Sequence, residues 1–469
     1  MINLSLIDIA QQVNGTLQGN DLIITNVSTD TREISADSLF IALVGPNFNG
    51  HVFANEARQN GAVAMIASEP VEAHMPVIMV EDTKAALGAL GAYVKQKVAP
   101  KTVGITGSSG KTTVKEMTTA ILKECGSVLS TQGNFNNDIG VPLTLLRLEA
   151  EHEYAVIEMG ANHIGEIAYT TGLVKPDVAT IVNAAASHLE GFGSLFGVAR
   201  AKSEIFKGLS KSGTAILNYD SQFYDFWLGK LDNELIYSFS LNSAPGKGAD
   251  YSASQVGLAF NGCAHFIMHT PIGEMNIELT LPGIHNVGNA LLAAALSINV
   301  GASLENVRDG LAKMQHVKGR LEIKQLSEKV RLLDDSYNAN VASVTAAIKL
   351  LSSYEGRRVL VLGDMAELGD QARHYHEQVG ELAKSESIEM FYTLGELSKS
   401  ASDMFGEGGQ HFSHIEPLLD ALYKELYAND NEFTILVKGS RSSRMDRVVT
   451  AIEGAPLSNA QHYGGFTEC

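Results

Sequence analysis

The run Val103-Gly104-Ile105-Thr106-Gly107-Ser108-Ser109-Gly110-Lys111-Thr112-Thr113 constrains the fold of this chain more than any other segment. An apolar strand leads into a loop of small residues, and the pattern predicts a helix from about Gly110 to Glu124. Such a unit aims loop N–H groups and a helix N-terminus at one point, where they offer partial positive charge to phosphate oxygens. Lys111 adds a full charge that reaches β and γ phosphates, and the Thr112 hydroxyl can ligate Mg²⁺. Ile105 stands where the general phosphate-loop pattern has its first glycine. A glycine-rich turn before a helix is often only a turn. Here a strand precedes it and Gly-Lys-Thr-Thr opens the helix, so the expected nucleotide contacts are Gly107, Ser108, Ser109, Gly110, Lys111, Thr112 and Thr113.

At 469 residues the chain exceeds what one core can hold, which predicts roughly two to four domains. A net charge of −18 argues against a nucleic-acid partner, because a phosphate backbone needs a basic face. It leaves room for a small anionic substrate held by a local cluster of Lys and Arg. Three scattered cysteines (Cys125, Cys263 and Cys469) fit neither a disulfide framework nor a zinc site. Met1–Asp8 lacks the basic segment and apolar core of a signal peptide, and no apolar run is long enough to span a membrane. The expectation is a cytoplasmic protein.

Strand candidates at Leu22–Val27, Ser38–Leu43, Ala62–Ala67 and Val77–Val80, followed by helical spacing over Lys84–Val98, predict a small α/β domain over residues 1–82. Residues 83–317 then alternate strand and helix. Tyr154–Met159 and Val178–Asn183 are continuous apolar runs of the kind buried in a parallel sheet, and Ser194–Gly208 and Ser221–Leu231 are helical. From Phe260 to Leu281 the pattern switches to alternation about Pro271-Ile272-Gly273, which predicts an antiparallel hairpin, and a helix runs from His285 to Val300. After His316-Val317-Lys318-Gly319, strands at Val330–Asp335, Arg358–Gly363, Ile388–Leu394 and Phe433–Lys438 imply a Rossmann-like sheet in residues 318–469. The fold class is therefore α/β in three domains, the central one a phosphate-loop parallel sheet carrying a small antiparallel sheet.

Several polar residues fall at strand ends, where ligands of open α/β sheets bind. Glu158 closes the strand after the phosphate loop and is placed for Mg²⁺; otherwise it is a carboxylate in a surface loop. His188, in His188-Leu189-Glu190-Gly191-Phe192-Gly193, follows the next strand and reads equally as a metal or phosphate contact or as a structural histidine. Lys202, from its own surroundings, reads as a solvated surface lysine. Asn286 and Asn289 share a helix face at i and i+3, where their amides either hydrogen-bond a nucleotide or cap the helix. The dense polar run from Asp335 to Asn340 follows a buried strand, and Lys438 and Arg441 repeat that position with two cations suited to a carboxylate or phosphate.

Taken together, these segments resemble the Mur ligase family over nearly the whole chain. The matching stretches are Ser28-Thr29-Asp30-Thr31-Arg32, Asn49-Gly50-His51, Gly104–Thr113, Gly133–Pro142, Glu158–Asn162, His188–Gly193, His285–Ala290, Gly319–Glu322, Asp335–Asn340, Gly363–Gly369 and Lys438–Arg441. That family's own loop has the form G-x-T-G-x-x-G-K-T, which accommodates Ile105. The Gly133–Pro142, Asp335–Asn340 and Met365–Gly369 segments are similar to the members that add D-alanyl-D-alanine. Two departures stand out: Val341 where the family has proline, and Ala184-Ala185-Ala186-Ser187 before His188.

The resemblance implies an ATP-dependent amide ligase of peptidoglycan precursor synthesis, working as a monomer through an acyl phosphate on UDP-N-acetylmuramoyl-tripeptide and D-alanyl-D-alanine. It implies ATP and Mg²⁺ (two ions) as cofactors, with Thr112 and Glu158 on the first ion and His188 at the second. It also implies that Lys202 is the lysine the family often carbamylates, and that Lys111, Glu158, His188 and Lys202 form the catalytic set. Asn286, Asn289, Arg320 and Asp335 would contact the nucleotide. Ser28, Thr31, Arg32, Asn49, Gly50 and His51 would bind the UDP end of the substrate. Asn134, Asn137 and Asp138 would also contact substrate, with Lys438 and Arg441 on the dipeptide carboxylate. A kinase or motor-type ATPase, a sister ligase, and a nucleotide-regulated binding protein are the rival readings.

Overall fold

Three parallel-rich sheets organise the chain in a computed structural model that describes residues 1–232, 235–259, 261–315, 317–428 and 431–455. Phe260 at the start of the expected hairpin, His316 at the expected domain junction, and residues 456–469, with Cys469, lie outside the described residues.

The central sheet runs Val128–Ser130, Tyr154–Glu158, Lys101–Thr106, Val178–Ile181, Thr214–Asn218, Leu235–Phe239 in spatial order, every pair parallel. Its inner strands are continuous apolar runs because both faces are covered: all of Tyr154–Glu158 and Val178–Ile181 is buried. The helix Lys111–Lys123 covers one face beside the longer helix His285–Ile298, whose alanines and leucines are almost all buried. Thr83–Val98 covers the other face, capped at its start by Asp82, which accepts from the N–H groups of Lys84 and Ala85. Because Lys101–Thr106 lies between Tyr154–Glu158 and Val178–Ile181, the phosphate loop, Glu158 and Asn183 emerge together on one edge.

The N-terminal sheet orders Thr16–Gln18, Val77–Met79, Ala62–Ala67, Ser38–Ile41, Asn26–Ser28, with only the first strand antiparallel. The C-terminal sheet orders Glu322–Gln325, Val330–Asp335, Phe433–Lys438, Arg357–Gly363, Met390–Leu394, Gly409–Phe412, again antiparallel only at its first strand. Neighbouring strands Val330–Asp335 and Phe433–Lys438 are in a register that sets Asp335 beside Lys438.

Local departures from the expected elements have simple causes. Leu22–Val27 is not one strand: Ile23–Ile24 pairs with Leu4–Ser5, and after Thr25 the chain enters the five-stranded sheet as Asn26–Ser28. The helical stretch Ser194–Gly208 is an α-helix over Leu195–Lys202, capped by Ser194, that tightens into a 3-10 turn at Ser203–Gly208. Ser221–Leu231 shortens to Tyr224–Leu228, anchored by buried Trp227, whose indole N–H donates to the Ala199 carbonyl at 3.1 Å. The hairpin, Cys263–Thr270 with Gly273–Pro282, gains a third strand at Ser252–Leu258. Val341 takes the first position of the helix Val341–Ser352, where proline is favoured because no N–H bond is needed there. Asn340 and Ser343 form a capping box that starts this helix without the proline.

Candidate active site

The sheet edges of the central and C-terminal units face each other across a cavity of about 700 Å³. Ser108 through Thr113, Asn134, Asn136, Asn137, Glu158, His188, Lys202, Asn286 and Asn289 line one side; Arg320, Asp335, Tyr337, Asn338, Asn340, Lys438 and Arg441 line the other.

The phosphate loop is held from behind. Gly110 adopts φ of 76°, a left-handed conformation that costs a side chain strain. A Cβ on Gly107 would come within 2.9 Å of Val182 Cβ. Ser108 N–H donates to the Asn183 carbonyl and Ser109 N–H to Asn183 Oδ1, both at 3.0 Å. The Lys111 ammonium donates to the Gly107 carbonyl at 2.7 Å. Burial holds its pKa below the ordinary lysine value; Glu158 works against that and Arg320 with it. The Thr112 hydroxyl donates to Glu158 Oε2 at 2.9 Å, and Asn136 Nδ2 donates to Glu158 Oε1 at 2.8 Å. A buried carboxylate next to an alcohol oxygen is a hard donor pair that suits Mg²⁺, an ion that keeps several waters and takes its other ligands from phosphates. Among the described residues no group of three or more His, Cys, Asp or Glu is close enough to hold a metal unaided, so nucleotide and water would complete the shell.

Lys202 corrects the reading of it as a solvated surface lysine. It sits at the end of Leu195–Lys202, on the face that buries Val198, Ala199 and Ala201, and is 1% exposed with its ammonium 6.0 Å above the Phe192 ring. Burial first, and the Lys111 cation second, push its pKa well below the usual lysine range. Both effects favour the neutral amine over the ammonium.

His188 has φ of 51° and stands edge-on to Phe192. Its Nδ1 faces the carboxylate of Glu367, from the third unit, in a close contact. The histidine holds the Glu367 carboxyl below its ordinary pKa. A second tie across the units runs from Asn340 Nδ2 to the Ser108 carbonyl at 3.3 Å.

Asn286 and Asn289 share a face as expected, but neither caps the helix: the cap residue is Ile284, with no side-chain bond. Asn286 Nδ2 donates to the Pro282 carbonyl at 2.7 Å and Asn289 Nδ2 to Asn286 Oδ1 at 2.8 Å, which brings Asn289 against Gly110.

Lys438, expected as a cation for a carboxylate or phosphate, already meets a carboxylate of the protein itself. It is buried, its ammonium donating to Asp335 Oδ2 at 2.5 Å and to the Asn338 carbonyl at 3.0 Å, so Asp335 already neutralises it. Asp335 is buried enough that desolvation raises its pKa despite the opposing pull of Lys438 and Arg320. Among the described residues the Arg441 guanidinium makes no ion pair; it lies 5.2 Å from the Tyr337 ring, while Arg320 lies 4.4 Å from the same ring.

Asp138 is not in the cavity lining; it pairs with Lys84 at the start of Thr83–Val98. Asn137 Oδ1 accepts from Gly140 N–H at 2.7 Å and so shapes the loop as well as lining the cavity. Ser28, Thr31, Arg32, Asn49, Gly50 and His51 lie outside the cavity: Ser28 ends the strand Asn26–Ser28, and the others lie in the segments that follow strand ends of the N-terminal sheet. Arg32 is exposed and bound to Asp30, Thr31 donates to Glu56 Oε1 at 2.6 Å, and Asn49 Nδ2 donates to Glu69 Oε1 at 2.6 Å. His51 is buried and accepts from Ser68 N–H at 2.9 Å. Asn136, Asn183, Tyr337, Asn340 and Glu367 are site residues that the sequence reasoning did not select. Asn136, Tyr337, Asn340 and Glu367 lie inside the family-like stretches, but nothing in their spacing sets them apart from neighbouring polar residues.

Three family descriptions match the chain: Mur ligase family, catalytic domain, over 23–95; Mur ligase middle domain over 105–297; and Mur ligase, glutamate ligase domain over 319–441. The chain belongs to the Mur ligase family. As a Mur ligase it is 48% identical over 453 residues to UDP-N-acetylmuramoyl-tripeptide–D-alanyl-D-alanine ligase of Escherichia coli (strain K12), covering 97% of this chain and 99% of that one. It is 35% identical to the enzyme of the same name from Bacillus subtilis (strain 168), covering 98% and 100%. In three dimensions this Mur ligase is similar to MurF from Acinetobacter baumannii, with a TM-score of 0.90 at 35% identity over 95% of this chain and 98% of that one. It is also similar to MurF ligase from Thermotoga maritima in complex with ADP, with a TM-score of 0.82 at 26% identity over 92% and 98%.

Proposed function

We propose that the protein is an ATP-dependent ligase that joins D-alanyl-D-alanine to UDP-N-acetylmuramoyl-tripeptide through an acyl phosphate, releasing ADP and phosphate. The full-length likeness to relatives bearing that name supports the substrates, and the ADP-bound relative supports nucleotide use. The observation that carries the reading is one cavity with the phosphate loop on one wall and the Arg441 cation on the other.

An oxygen of the peptide carboxylate attacks the γ-phosphorus and ADP departs. The amine nitrogen of the dipeptide then attacks the acyl carbon, phosphate leaves and the amine loses a proton. The obstacle in the first step is one anion approaching another, a repulsion of about 4 kcal/mol at 4 Å with an effective dielectric of 20. Lys111 and the loop N–H groups offset it and hold the transferring group in line. Thr112 and Glu158 would hold Mg²⁺, which supplies further charge neutralisation at the phosphates.

Lys202, whose burial favours the neutral amine, suits carbamylation, which would turn an amine into an oxygen ligand beside that site; His188 would serve a second ion. Asn286, Asn289, Arg320 and Asp335 would surround the nucleotide, and Arg441 rather than Lys438 would meet the dipeptide carboxylate. The loops of Ser28–Arg32 and Asn49–His51 would take the UDP end. On this reading residues 1–82, 83–317 and 318–469 are the three working units of a cytoplasmic enzyme, and domain closure keeps water from the acyl phosphate.

Coupled ADP release should require both UDP-N-acetylmuramoyl-tripeptide and D-alanyl-D-alanine, and should fall when dissolved carbonate is stripped. ADP release that ignores the dipeptide would favour a plain ATPase and overturn the proposal.

A further inference from the structure

The contact between His188 and Glu367 joins two segments that are each fixed to a different unit. On the central side, Ser108 Oγ donates to the Ala185 carbonyl at 3.1 Å and Ala185 N–H donates back at 3.0 Å, stitching the loop before His188 to the phosphate loop. On the C-terminal side, Met365 and Leu368 are buried, and Met365 N–H donates to His376 Nε2 at 3.0 Å. The Asp364 carbonyl accepts from Ser440 N–H at 2.9 Å and Ser443 Oγ at 2.8 Å, so the segment moves with the loop that carries Arg441.

Where the segments meet, Leu189 N–H donates to the Glu367 carbonyl at 2.9 Å, and His188 Nδ1 faces the Glu367 carboxylate. Both partners adopt left-handed backbone conformations, with φ of 51° at His188 and 62° at Glu367, which residues with side chains adopt only under local constraint. Backbone held this way on both sides of a junction marks a built contact rather than a chance one.

We infer that Glu367 is a positioning residue that orients His188 from the opposite domain, and does so only when the two domains are closed. A carboxylate at Nδ1 favours the proton on that nitrogen and leaves Nε2 with its lone pair, at a residue that lines the cavity. The histidine thus takes its working orientation at closure, after ATP and peptide are enclosed. This role rests on the ligase reading above.

Glu367→Ala tests it against Glu367→Gln, which keeps an oxygen toward Nδ1. Expected for Glu367→Ala is a kcat lower by about 10- to 100-fold, the range seen when an outer partner of such a histidine is removed. ADP affinity should stay within about threefold, because no phosphate contact is touched. Glu367→Gln should recover most of the lost kcat. Hydrogen exchange gives a readout apart from turnover: in wild-type protein ADP should slow exchange across residues 186–193, and Glu367→Ala should lose that slowing. A structural role alone would instead lower the melting temperature and ADP affinity together, with no rescue by glutamine. Unchanged kcat, or unchanged ADP-dependent exchange, in Glu367→Ala overturns the inference. If wild-type protein forms no amide bond, the ligase reading fails and the catalytic role of Glu367 with it; the exchange comparison still decides whether Glu367 holds the domains together.

Discussion

Lys111→Ala is expected to reduce ligation by at least about a thousandfold while leaving the fold intact. Removing one preorganised donor from a site of developing negative charge costs on the order of 10²–10³ in rate, and Lys111 contributes a full charge where a backbone donor contributes a fraction. Its position makes that charge count. The ammonium sits at the loop it closes, bonded to Gly107, with burial pressing against its protonated form. A phosphate arriving there restores the favourable environment that burial took away. Stability should be nearly unchanged, because the side chain makes one hydrogen bond and carries a desolvation penalty that alanine removes. Coupled ADP release and a thermal melt measure both; residual turnover within tenfold of wild type would contradict the assigned role.

Lys438→Met should produce the largest loss of stability, about 3–5 kcal/mol, the cost of leaving a buried charge without its partner. Lys438 and Asp335 end adjacent parallel strands of the C-terminal sheet; Lys438 is buried and the Asp335 side chain is largely so, at 14% exposure. Burial already raises the Asp335 pKa; the Lys438 cation is the main force opposing it. Without that cation the folded-state pKa climbs further above the unfolded value. The penalty is then present at neutral pH and fades as acid protonates Asp335, so the deficit should shrink on lowering pH. Denaturant melts at neutral and acid pH check the sign, and Lys438→Met with Asp335→Asn should recover most of the loss. A single variant as stable as wild type would show that Asp335 is not held ionised by Lys438.

Much of this site was legible in the chain because its chemistry sits where strands end. Long apolar runs such as Tyr154–Glu158 and Phe433–Lys438 announce buried parallel strands, and the polar residues that follow them must lie on the ligand edge. The short edge strands Glu322–Gln325 and Gly409–Phe412 carry no such run, being half-buried, and escaped notice. Lys202 was opaque for a different reason. A lysine at the end of a short helix has no sequence mark of burial, and only packing against Phe192 shows it inside. Lys438 was visible as a cation but not as a neutralised one, because its partner lies a hundred residues away and meets it only through strand register. Asn136 and Asn183 act by holding Glu158 and Ser109, a job that leaves no spacing rule behind.

On the proposed reading the cavity beside Lys111 lets a peptide carboxylate accept phosphate from ATP, and oxygen transfer tests this directly. With UDP-N-acetylmuramoyl-tripeptide labelled by ¹⁸O in its terminal carboxylate, one labelled oxygen should appear in the inorganic phosphate released with each new amide bond. Amide formed with unlabelled phosphate would contradict the account, because the carboxylate would then have been activated by some route other than an acyl phosphate.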